Sequence, residues 1–120
     1  MLPVADMDAT LDFYVEVMRF NVALDAPEYS IIDCDGATIH LVKAANNEIL
    51  EAVKGKMEIY IEVDYIESLW SHVKQFRDRY QIRDLFAQPY GMVEFHILDP
   101  NDCLLFIGQS VPSDVCVPPV

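Results

Sequence analysis

Apolar residues in this chain recur at helical spacing in two stretches and at every second position through most of the remainder. The first helical stretch follows Asp6 and Asp8, either of which can cap it, and carries Leu11, Tyr14, Val15 and Met18 on one stripe. The second follows Asp64-x-x-Glu67, a capping-box pattern with Asp64 in the cap position, and carries Ile66, Leu69, Val73 and Phe76. Leu2 to Ala5 reads as a short strand, and Phe20 to Asp25 as a half-buried strand ended by Pro27. Tyr29–Cys34 and Ala37–Lys43 flank Asp35-Gly36, a two-residue turn whose positions need positive φ. That turn pairs Cys34 with Ala37 and Ile31 with His40, and puts Tyr29, Ile31, Asp33, Thr38, His40 and Val42 on one face. Ala44 to Lys56 is a polar connector with one helical turn, closed by Gly55.

After Met57 the order repeats. Glu58, Tyr60 and Glu62 share one face of a strand and Ile59, Ile61 and Val63 the other; the aliphatic face belongs against the helix. Ile82–Phe86 is a short strand and Pro89-Tyr90-Gly91 a loop. Met92–Leu98 and Cys103–Gly108 form a hairpin around Asp99-Pro100-Asn101-Asp102. Val4 to Leu11 reappears as Glu62 to Leu69, so one unit is used twice. Each copy runs strand–helix–strand–strand–strand. The expectation is an α+β fold of eight strands and two helices, in two βαβββ modules with curved sheets around a cleft and helices behind. We place a single domain at 1–109, with modules at about 2–45 and 57–109 joined by 46–56. A proline-rich tail follows at 110–120.

Composition narrows the function classes. Twenty acidic residues against eight Lys and Arg give a net charge of −12, which repels nucleic acid and anionic lipid and attracts cations, or simply keeps the domain soluble. The apolar runs are too short for a membrane span, and none reads as a signal peptide. Cys34, Cys103 and Cys116 lack a C-x-x-C spacing and are too few for a disulfide framework, so a cytoplasmic location is expected. Four glycines leave no phosphate-binding loop, and nucleotide binding is not expected.

Three segments carry a family resemblance. Leu2-Pro3-Val4-Ala5-Asp6 leads into Asp12-Phe13-Tyr14; Gly36 to Leu41 closes the first module; Phe95-His96-Ile97-Leu98-Asp99-Pro100-Asn101-Asp102 precedes Leu104-Leu105-Phe106. In order and spacing they resemble the vicinal oxygen chelate superfamily of glyoxalase I, bleomycin resistance proteins and extradiol dioxygenases, and most nearly the bleomycin resistance branch. Asp102 stands where the family's "F-x-x-x-D-P-x-G-N" ending has Gly, and Asp tolerates the positive φ required.

The resemblance implies four metal-ligand positions, on the first and last strands of each module. Here they fall just before Met1, at His40, at Glu58 and at Phe106. Phe106 cannot ligate, and His40 and Glu58 provide two donors where catalytic sites take three or more, so no metal or other cofactor is expected. His40 can equally be a ligand contact or a satisfied core histidine, and Glu58 and Glu62 a solvated edge. Phe106, Phe95 and Tyr60 are either a wall for a flat ligand or plain core. His72 and His96 read as structural, with His96 on the face opposite Phe106. The favoured function is metal-free sequestration of a small, cationic or aromatic molecule by a homodimer, as in antibiotic resistance, with Asp33, His40, Glu58, Tyr60, Glu62, Phe95 and Phe106 as binding residues. The alternatives are a metal-dependent glyoxalase-like lyase or dioxygenase, and a degenerate domain kept for protein contacts.

Overall fold

The computed structural model describes residues 2–34 and 36–110. The expected tail beyond Ser110, with Cys116, and Asp35 of the first turn lie outside them. Each module forms a four-stranded mixed sheet with the same strand order. Strands β1 (Leu2–Val4), β2 (Asn21–Leu24), β3 (Tyr29–Cys34) and β4 (Ala37–Lys43) stand in the order β1-β4-β3-β2. Strands β5 (Glu58–Glu62), β6 (Ile82–Ala87), β7 (Met92–Leu98) and β8 (Leu104–Ser110) stand as β5-β8-β7-β6. In both sheets the strand before the helix runs parallel to the last strand, and the other pairings are antiparallel. The α+β fold is the expected one, with a third helix in the connector. The described residues divide into two compact units, those within 2–57 with Asp99–Cys103, and Glu58–Leu98 with 104–110.

In the first unit, helix α1 (Met7–Asp12) is capped by Asp6, whose carboxylate accepts the Ala9 N–H at 3.1 Å. The helix then widens into a π-helical turn at Phe13–Val17, with Phe13 C=O accepting from Met18 N–H. The extra residue rotates the apolar stripe, so Val17 is buried and Val15, expected inside, is exposed. The β3–β4 register pairs Cys34 with Ala37 and Ile31 with His40, as the turn predicts, and Gly36 has φ of 84°. Helix α2 (Asn47–Val53) exceeds the single turn expected of the connector because Asn46 caps it, accepting the Ile49 N–H at 3.2 Å. Asp99, from the β7–β8 turn, is buried here; it accepts the Tyr14 hydroxyl at 2.7 Å and the N–H groups of Asn101 and Cys103 at 2.7 and 2.9 Å. Asp102 takes φ of 60°, so the turn tolerates the missing Gly.

In the second unit, helix α3 (Ile66–Val73) buries Ile66, Leu69 and Val73, and Trp70 packs on Phe95 with ring centres 5.3 Å apart. The expected Asp64 capping box is absent. Gln109, at the end of β8, accepts the Ile66 N–H at 2.9 Å and donates to the Asp64 carbonyl at 3.0 Å. One side-chain amide thus satisfies the helix start from a distant strand, which a local pattern cannot reveal.

The two copies correspond one position further on than the literal sequence repeat. Leu2 pairs with Leu41 as Ile61 pairs with Ile107, and α1 starts at Met7 as α3 starts at Ile66. Val4 therefore matches buried Val63, not exposed Glu62. By the same register His40 and Phe106 are equivalent, each preceding its buried partner of the first strand.

Candidate functional site

Alternation along β7 sends Phe95 and Ile97 into the core of the second unit, both fully buried, and leaves Glu94 and His96 on the opposite face of the sheet. Pairing then assembles that face. His96 lies opposite Phe106 on β8 and Arg83 on β6, Glu94 opposite Gly108 and Phe86, and Tyr60 opposite Phe106. Ring centres follow at 6.3 Å from Tyr60 to Phe106, 4.3 Å from Phe106 to His96 and 5.2 Å from His96 to Phe86. This is one ring per strand across the whole sheet, with edge-on contacts at His96 that aromatic quadrupoles favour.

A buried carboxylate anchors the band. Glu94 is 2 % exposed. Its Oε1 accepts Gln88 Nε2–H at 3.0 Å and His96 Nε2–H at 2.9 Å; its Oε2 accepts the Tyr60 hydroxyl at 2.8 Å and the Tyr90 hydroxyl at 2.7 Å. Four donors fill the four lone-pair positions of the two oxygens. Burial pushes the Glu94 carboxyl up, but the hydrogen bonds from Gln88, His96, Tyr90 and Tyr60 outweigh it and hold it at about 2. Burial first, then the bond to Glu94, raise the Tyr60 phenol, so its proton stays in place as a donor at neutral pH. The contact to Glu94 chiefly raises Tyr90 as well.

Gly108 makes the reach of Tyr60 possible. A β-carbon there would lie 2.8 Å from Tyr60 Cζ and closer still to its hydroxyl. The ring therefore crosses β8 only because that position is bare. With both tyrosines, Gln88 and His96 tied to one carboxylate, the face is held in place by its own hydrogen bonds.

In the first unit, the Tyr29 hydroxyl bonds His40 Nδ1, and the two rings meet edge to face at 5.5 Å. Asp33 accepts Asn21 Nδ2–H at 3.5 Å, a long contact. Tyr29, Asp33 and His40 are half-buried. Among the described residues no group of three or more His, Cys, Asp or Glu side chains converges as a metal site would need.

The model of the Glyoxalase/Bleomycin resistance protein/Dioxygenase superfamily matches residues 1–105. The chain belongs to that superfamily. A bleomycin resistance protein of Geobacillus stearothermophilus is 22% identical to this member, the match covering 93% of this chain and 95% of that one. Two solved structures share its fold. One is a bleomycin resistance determinant encoded on the transposon Tn5, with a TM-score of 0.74 and 18% identity over 92% of this chain and 94% of that one. The other is a bleomycin-binding protein from Streptomyces verticillus complexed with copper(II)-bleomycin, with a TM-score of 0.67 and 14% identity over 93% and 92%.

On this superfamily scaffold the seven expected binding residues separate. Tyr60 and Phe106 stand in the aromatic band, and Glu58 and Glu62 are exposed on the Tyr60 face of β5. Asp33 and His40 sit on the β3–β4 hairpin of the first unit. Phe95 is corrected: it is core behind the sheet, because it alternates with His96 and packs on Trp70. His96 is corrected in the opposite sense, since direct pairing puts it on the same face as Phe106. Glu94, Phe86 and Tyr90 join this face through strand pairing and hydrogen bonds that the sequence alone does not show. Glu94 and His96 at alternate positions before the Asp99 turn were the available signal, once the hairpin register was counted back to Gly108.

Proposed function

We propose that this chain binds a flat small molecule and sequesters it, without metal and without making or breaking a bond. The aromatic band carries the proposal: Tyr60 and Phe106 offer ring surface, and the filled lone pairs of Glu94 fix Tyr60 and His96 before any ligand arrives. A face already ordered loses little entropy on binding. Relatives named for bleomycin resistance, and a fold neighbour named for binding bleomycin, support this ligand class. Exposed Glu58 and Glu62 on the same face favour cationic aromatic compounds. Metal independence rests on the donors: Phe106 is apolar, and His40 and Glu58 supply two where a catalytic site takes three or more. We further propose a homodimer, since β1, β2, β5 and β6 are edge strands of their sheets and β2 is exposed throughout, and a cytoplasmic location, from the scattered cysteines.

A thermal-shift screen with bleomycin, other cationic aromatic drugs and divalent metals tests the proposal, because a ligand of the native state raises the melting midpoint. The drugs should raise it and the metals should not. Stoichiometric metal binding lost on His40→Ala would replace sequestration with metal chemistry.

A further inference from the structure

The two margins of the aromatic band differ in chemistry. On β6, Arg83 is in register with His96, and its guanidinium stacks 3.9 Å from the centre of the Phe86 ring. Stacking fixes the planar group yet uses none of its five N–H donors. The adjacent carboxylate, Asp84, is held by Arg77 through bonds of 3.1 and 2.8 Å. Among the described residues Arg83 has no hydrogen-bond or ion-pair partner, and it is exposed. In a chain of net charge −12, a positioned guanidinium without a protein partner at the margin of a ring surface has the donors that a carboxylate would take. At the other margin β5 presents Glu58 and Glu62 beside Tyr60. Three strand spacings separate β5 from β6, about 14 Å.

We propose that the ligand is a planar zwitterion. Its unsaturated body lies along Phe106 and His96, its cationic group reaches Glu58 and Glu62, and its carboxylate is forked by Arg83. This rests on the small-molecule function proposed above and narrows it from cationic to dipolar compounds. Neither end alone defines the class; the span between them sets the length.

Calorimetric titration with three matched probes tests it: 4'-(aminomethyl)biphenyl-4-carboxylic acid, its methyl ester and its N-acetyl derivative. The intact zwitterion should bind about tenfold more tightly than either blocked form, as expected for one charge-assisted contact. Arg83→Met, which keeps an apolar cover over Phe86, should erase the preference for the zwitterion over the ester. Glu58→Gln with Glu62→Gln should erase the preference over the N-acetyl form. A melting curve for each variant checks that the fold is retained. If the wild type does not prefer the zwitterion, or Arg83→Met keeps the preference over the ester, the dipolar ligand is refuted while binding of the ester upholds the cationic-ligand function. If none of the three binds at millimolar concentration, the dipolar ligand is refuted, and a melting shift with bleomycin still decides the small-molecule function.

Discussion

Replacing Glu94 by Gln preserves shape and removes charge, which makes it the sharpest probe of how the band is held. The amide so introduced would turn two donors toward a site where four donors already point. The size of the effect follows from the carboxyl's proton affinity. Its pKa is about 2 in the folded chain against an ordinary 4.5, which at about 1.36 kcal/mol per pH unit corresponds to roughly 3 kcal/mol of stability at neutral pH. That is a large fraction of the roughly 5–15 kcal/mol that holds a domain together. The sign is fixed by the direction of the shift. A depressed folded pKa contributes its full stability above about 4.5 and loses it as pH falls through about 2. Urea unfolding of wild type and Glu94→Gln at pH 7 and pH 2.5 gives the difference directly. It should be about 3 kcal/mol at pH 7 and narrow by about 2.5 kcal/mol at pH 2.5. A difference below about 1 kcal/mol at pH 7, or one that does not change with pH, refutes the anchoring role of Glu94.

Three further outcomes are expected. Gly108→Ala should drive the Tyr60 ring off β8 and break its bond to Glu94, lowering stability by about 1–3 kcal/mol; an unchanged melting midpoint and an unshifted Tyr60 ring resonance would show that the bare position is not needed. Gln109→Ala should remove the cap of α3 at a cost of about 1 kcal/mol in chemical denaturation, and no loss would mean that water replaces the amide. Tyr14→Phe strips a donor from Asp99, whose pKa burial has already raised, and should cost about 1–3 kcal/mol in the same assay; a neutral result would place that bond among the expendable ones.

How far sequence reached depends on the range of the interaction concerned. Strand and helix periods, the Cys34–Ala37 pairing and the cap at Asp6 are local, and each is legible from a few neighbouring residues. The cap of α3 is not, because Gln109 arrives from another strand. The π-helical turn is invisible as well, since one extra residue rotates a stripe without changing its composition, and Val15 is misplaced as a result. At the candidate site, Tyr60 and Phe106 follow from superfamily positions and from alternation. Glu94 does not. A lone acid in an apolar strand gives no hint that donors from β5, from the β6–β7 loop and from its own strand will converge on it. Phe95 and His96 exchange faces once the hairpin register is counted through. Two alternating neighbours cannot both wall one ligand.

The most direct test of ligand binding on this face is a paired measurement on Phe106→Ala: calorimetric affinity for bleomycin, and melting temperature without it. Phe106 is half-buried beside Tyr60 and His96, so its loss should weaken binding by about tenfold while shifting the melting point little. Unchanged affinity with a large fall in melting temperature would make Phe106 core, and the band would no longer be a binding surface.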